Sequence, residues 1–117
     1  MTTPAADGFR AVADWEPQIR AWMAWPSDED AWGGLLEEAR DAVAAVAGLI
    51  AEFQPVTICA RPDDAVEAGM RAGKGVSTFP GSVDHPWMRD FSPSFVRNEE
   101  GEIAGVDWRY TGWGGVL

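Results

Sequence analysis

Residues 53–64, FQPVTICARPDD, decide how this chain folds. Val56, Thr57, Ile58, Cys59 and Ala60 form a short apolar, β-branched run with a proline close by on either side. A run of that length and composition predicts a buried strand. Pro55 ends the segment before it, because the proline ring fixes φ and offers no N–H to a helix. Pro62 followed by Asp63 and Asp64 opens a helix after it, since proline suits a first turn and carboxylates suit the positive end of a helix dipole. Helix, strand, helix implies a layered α/β unit.

The flanking sequence extends that order. From Leu35 to Phe53, the residues Leu36, Ala39, Val43, Val46, Ala47 and Ile50 recur at helical spacing, with Glu37, Glu38, Arg40 and Asp41 mostly off the stripe. SDEDAW at 27–32 carries helix-starting chemistry. In IRAWMAWP at 19–26, Trp22 and Ala24 alternate with Met23 and Trp25, which predicts a strand buried on both faces and stopped by Pro26. Downstream, the second helix runs to about Gly73 and GVSTF at 75–79 predicts another strand. SFVRNEEGEIAGVDWRY at 94–110 predicts two strands joined by a turn at Asn98 to Gly101. Residues 1–13 read as a disordered lead-in, and 111–117, TGWGGVL, as a tightly turned or flexible end.

Composition bounds the function. The 117 residues suit one domain, and 46% hydrophobic residues with seven tryptophans supply a core. A formal charge of −10 argues against a phosphate-backbone binder and suits a small cationic ligand, the alternative being an acidic balance that serves solubility alone. The lone Cys59 forbids an internal disulfide and a multi-cysteine metal site, which fits a reducing compartment. Its mid-strand, apolar setting makes it a core residue rather than a nucleophile. The start MTTPAADGFRAVADW lacks a basic segment followed by an apolar run, and the apolar-rich stretch Ala42 to Ala51 is too short for a bilayer. A cytoplasmic protein with no nucleic-acid or membrane partner is expected.

One loop stands apart, DHPWMRDFSP at 84–93. Asp90 could accept two N–H groups of a flat guanidinium cation, Asp84 could lie nearby, and Trp87 could supply an aromatic wall. The competing reading pairs Arg89 with Asp84 or a neighbouring carboxylate and puts Trp87 in the core. The only histidine, His85, reads as a loop or surface residue. Pattern leaves both readings open.

DWEP at 14–17 with AWMAWP at 21–26, then WMRDFSPSFV at 87–96, then DWRYTGWGG at 107–115, resemble the N-terminal part of the agmatine deiminase and bacterial-type peptidylarginine deiminase family. The resemblance implies a pentein-type five-bladed α/β propeller, of which residues 14–117 are about the first blade and the start of the next. It also implies hydrolysis of agmatine to N-carbamoylputrescine and ammonia in putrescine biosynthesis, with no cofactor. Asp90 matches the aspartate that binds the substrate guanidinium, Trp87 the aromatic lining the pocket, and Arg89 a structural partner. Asp84 is a further candidate contact. The WGG at 113–115 resembles a family loop near the site. Such enzymes use a cysteine thiolate late in a longer chain and a His-x-Asp pair; neither is found here, so no catalytic residue is assigned. An incomplete N-terminal fragment is expected, prone to self-association or dependent on a complementary chain. The alternatives are peptidylarginine deimination and a non-catalytic module binding guanidinium or polyamine.

Overall fold

A computed structural model describes residues 2–115; the last two residues of the 111–117 segment lie outside them. In chain order the elements are β1 (Arg10–Ala11), β2 (Ala21–Ala24), α1 (Glu29–Trp32), α2 (Leu36–Ala51), β3 (Val56–Ala60), α3 (Ala65–Ala72), β4 (Val76–Pro80), α4 (Met88–Phe91), β5 (Ser94–Arg97) and β6 (Ile103–Val106). The chain divides into two compact units, one of residues 18–88 and one of residues up to 17 together with 89 onward.

The unit of 18–88 is the α/β layer expected from FQPVTICARPDD. Its sheet has the order β2-β3-β4, all parallel, with Ala21 opposite Val56 and Val56 opposite Val76. Parallel neighbours need crossovers, and α2 and α3 supply them. Val56, Ile58 and Ala60 of β3 pack against Ala44 and Ala47 of α2 and Ala68 and Ala72 of α3. Small alanines at those helix positions let the helices approach the sheet closely.

Trp25 is fully buried in this core. The guanidinium carbons of Arg40 and Arg71 stand 5.9 and 6.0 Å from its ring centre. Arg40 in turn pairs with Glu37 at 3.2 Å and Asp64 at 3.3 Å, and Arg71 with Asp41 at 3.2 Å. The Arg40–Asp64 pair ties α2 to the start of α3 and the Arg71–Asp41 pair ties it to the last turn of α3, while Arg40–Glu37 lies within α2. Val46 of the expected apolar stripe is instead exposed, its place in the core taken by Ala44.

β2 departs from expectation. Ala21 and Met23 pack on the helical side; on the opposite face Ala24 is buried, but Trp22 is 40% exposed and meets the edge of the Phe79 ring at 6.1 Å. The alternation of large residues predicts two covered faces; within this unit both long helices cover one.

The other unit holds an antiparallel sheet of order β1-β5-β6. The β5–β6 hairpin turns where expected: Glu102 N–H donates to the Asn98 side-chain oxygen at 2.8 Å and Gly101 adopts φ 85°, which glycine tolerates without a Cβ clash. β1 pairs with β5, Arg10 opposite Arg97. Residues read from sequence as a disordered lead-in thus contain a strand, whose partner lies far along the chain where no local pattern reports it. Glu16 closes the same segment by accepting from Arg10 at 2.9 Å and from the Ala13 N–H at 2.8 Å. Those contacts hold the Glu16 carboxyl at a pKa of about 2, with the Arg10 hydrogen bond the larger cause.

Candidate functional site

The loop of 84–93 spans the division between the units: Asp84 to Met88 belong to one, Arg89 to Pro93 to the other. The candidate residues therefore fall into two groups.

In the unit of 18–88, Asp84 is an anchor. Its carboxylate accepts from the guanidinium of Arg61 through Nε at 3.2 Å and through Nη2. Its carbonyl oxygen accepts from the Ser27 and Asp28 N–H groups at 3.0 and 3.3 Å. The loop is thereby tied to the segment following β2. In the other unit the Arg89 guanidinium lies 3.9 Å from a carboxylate of that same unit, Asp14, both side chains being well exposed. Trp87 stacks on Trp32 at 6.1 Å with 17° between the planes, and on its own loop meets His85 at 4.9 Å. Trp87 remains 44% exposed, so it is a braced surface ring rather than a core residue. His85, read from sequence as a loop or surface residue, has a side chain only 12% exposed, with Nε2 3.8 Å from Asp28. Trp32 and its stack were missed, since a tryptophan at the end of a one-turn helix carries no periodic signal.

The other unit gathers Asp90 with aromatic rings. Asp90 Oδ2 accepts from the indole N–H of Trp113 at 3.2 Å. Tyr110 meets Trp113 edge-on at 5.6 Å and Phe91 at 6.1 Å. Asp90, Trp108, Arg109, Tyr110, Thr111 and Trp113 line a shallow open depression of about 340 Å³. Burial raises the Tyr110 pKa above its ordinary 10, and the negative charge of Asp90 adds to the effect. Trp108 and Tyr110 were not singled out from sequence. The signal was available in three aromatics among 108–113 interleaved with glycine.

The segment Gly112–Gly115 explains that glycine content. Its four residues all have positive φ, with Trp113 at φ 53° the non-glycine among them, and the Gly115 N–H closes the turn onto the Thr111 carbonyl at 2.7 Å. A left-handed turn of this kind crowds any Cβ, so glycine is the residue that forms it without strain.

Chemically, an exposed carboxylate with aromatic walls suits a flat cation: the carboxylate accepts N–H donors in the plane while ring faces attract the charge. Cys59 does not join this group. It sits within β3, and burial pushes its thiol above the ordinary value, away from the thiolate form a nucleophile needs. Among the described residues no three His, Cys, Asp or Glu side chains converge as a metal site, and no helix is long and apolar enough to cross a membrane.

Comparison with known proteins extends these observations. Residues 10–117 match the family model of the Porphyromonas-type peptidyl-arginine deiminases. The chain is 44% identical over 115 residues to the agmatine deiminase of Pseudomonas aeruginosa strain LESB58, covering 97% of this chain and 31% of that protein. It is 41% identical to the agmatine deiminase of Ectopseudomonas mendocina strain ymp, with the same coverage. A solved structure of the agmatine deiminase of Enterococcus faecalis superposes with a TM-score of 0.89 at 34% identity, over 99% of this chain and 32% of that one. The chain thus spans about a third of the length of these relatives, and its α/β architecture is the corresponding part of their pentein fold. On the match over residues 10–117, this chain belongs to the Porphyromonas-type peptidyl-arginine deiminase family.

Proposed function

We propose that this chain forms the guanidinium-gripping part of an agmatine deiminase, a cytoplasmic enzyme hydrolysing agmatine to N-carbamoylputrescine and ammonia on the way to putrescine. The observation that carries the reading is the Asp90 carboxylate standing in a depression lined by Trp108, Tyr110 and Trp113. In this reading Asp90 accepts the guanidinium N–H groups and Trp108, Tyr110 and Trp113 supply the aromatic wall beside it, while Trp87, in the unit of 18–88, is a separate aromatic candidate. Asp84 acts by anchoring the loop through Arg61 rather than by touching substrate. The relatives at 44% and 41% identity, both named agmatine deiminases, favour agmatine over an arginine side chain in a peptide. The thiolate and proton carrier come from polypeptide beyond these residues, on the same chain or a complementary one, because Cys59 is held in β3 as a thiol.

A titration of the 117-residue chain with agmatine, followed by amide and indole resonances, tests this. Agmatine should perturb signals around Asp90, Asp90→Ala should abolish the response, and a blocked arginine peptide should bind more weakly. The chain should release no ammonia from agmatine. Binding indifferent to Asp90→Ala would sink the site, and ammonia release lost in that variant would sink the separation of binding from catalysis.

A further inference from the structure

We infer that Trp113 is a positioning residue for Asp90, and that the left-handed turn Gly112–Gly115 serves to aim its indole N–H at that carboxylate. The inference rests on the reading of Asp90 as the guanidinium acceptor. It adds a residue whose role was unassigned within the WGG segment.

A surface aspartate rotates freely about its side-chain bonds, and a bidentate contact with a guanidinium requires one orientation of the carboxylate plane. Holding one oxygen reduces the ordering that ligand binding must otherwise impose. The indole N–H is suited to this task. It is a donor that never titrates and carries no charge to repel a cationic ligand, unlike a lysine or arginine in the same place. Donation at 3.2 Å to Oδ2 leaves that oxygen a second lone pair and leaves both lone pairs of Oδ1, enough for two guanidinium N–H groups.

The backbone points the same way. Trp113 is the non-glycine residue with positive φ among the described residues, in a turn whose other members are Gly112, Gly114 and Gly115. A bulky residue kept in a conformation that glycine would adopt without strain marks a position where the side chain is needed. The turn is closed onto Thr111 by two bonds, the Gly115 N–H on its carbonyl at 2.7 Å and the Gly114 N–H on its hydroxyl at 3.2 Å. Tyr110 packs against the Trp113 ring edge-on at 5.6 Å. The donor is therefore held by backbone and by a neighbouring ring before any ligand arrives.

The test uses the whole 117-residue chain with agmatine as the probe and resonance titration as the readout. Trp113→Phe keeps a ring and removes the N–H; it should weaken agmatine binding by up to about tenfold, the cost of ordering one side chain on binding. The same substitution placed on Asp90→Asn should change nothing further, which a merely structural role would not produce. Gly114→Ala provides a second variant that leaves the indole intact. Its new Cβ meets nothing within 4 Å, so it strains only the turn at φ 80°, and it should weaken binding in the same direction. The Trp113 indole resonance should also move on Asp90→Asn in the absence of agmatine. Affinity lost in Asp90→Asn but unmoved in both Trp113→Phe and Gly114→Ala overturns this inference and leaves the site standing. Absence of agmatine binding, or binding indifferent to Asp90→Asn, overturns the site and the role of Trp113 together.

Discussion

The two units of this chain are held by different forces. Among the described residues, the apolar side chains that are nearly or fully buried lie in the unit of 18–88, with Val96 the exception. There the parallel sheet, the alanine-lined helices and the capped Trp25 bury a continuous core. The other unit relies on a hairpin, a two-residue strand, the Arg10–Glu16 pair and rings that stay partly in solvent: Trp108 is 63% exposed and Trp113 42%. One unit is a scaffold that burial stabilises, whereas the other presents polar and aromatic groups. Sites that must meet a ligand belong to regions of the second kind.

The largest expected effect breaks the contrast most directly. Ile58 is fully buried between α2 and α3, while Ile103 on β6 is 52% exposed. Ile58→Ala should cost about 2–5 kcal/mol, the range for truncating a well-packed aliphatic side chain. Ile103→Ala should cost under about 1 kcal/mol, because most of its surface is already in water. Urea unfolding of the two variants decides the matter, and equal losses would mean that the units do not differ in how burial supports them.

The same division explains what the sequence made legible. FQPVTICARPDD and the stripe after Leu35 carry period and punctuation within a few residues, so α2, β3 and α3 were read to within a few residues of their ends. Asn98 to Gly101 was readable because turn chemistry is local. β1 was not, since Arg10 and Ala11 gain their order from Arg97 and Val96, and sequence spacing says nothing of such a partner. The exposed face of β2 was misjudged because the pattern shows that Trp22 is apolar without showing what covers it. Asp90 and Trp87 stand out as candidates by residue type and resemblance, one in each unit. The engagement of Asp84 by Arg61 does not, because it joins positions far apart in sequence. Trp108 and Tyr110 stand in plain view as aromatics within 107–115, but composition does not encode that they line the same depression as Asp90.

Acid should separate the units next. Glu16, with its carboxyl held at about 2 rather than 4.5, is stabilised as the anion by Arg10 and the Ala13 N–H. A depressed carboxylate contributes stability that is present above its unfolded value near 4.5 and is lost as pH falls toward 2. The contacts of 10–16 should therefore loosen between those limits, and the Arg71–Glu37 pair, whose carboxyl is also lowered, should weaken with them, while the apolar core of 18–88 persists. The Glu16 carboxyl carbon resonance should titrate near 2 in the native chain and move upward in Arg10→Met while staying below 4.5, because the Ala13 N–H still donates to it. A titration near 4.5 without the substitution would remove the ion pair from the forces that hold this unit.

The smallest effect is the most informative about the site, because Tyr110 is the chain's sole tyrosine and its phenolate absorbance reports one group. Its pKa is raised above 10 chiefly by burial, and secondarily by the charge of Asp90. Asp90→Asn removes the second cause and keeps the first, so the midpoint should fall yet stay above 10. The sign for stability follows: a raised phenol favours the folded state below pH 10, and that contribution disappears as pH climbs through the folded midpoint. Trp113→Phe should leave the titration nearly where it was, since it removes neither the burial nor the charge. The pair of variants thus separates two kinds of neighbour, one sensed through charge and one through a hydrogen bond to the same carboxylate. If the Tyr110 midpoint ignores Asp90→Asn, the carboxylate and the ring do not share one depression. The aromatic groups of 108–113 would then be an exposed edge rather than the wall of a cation site.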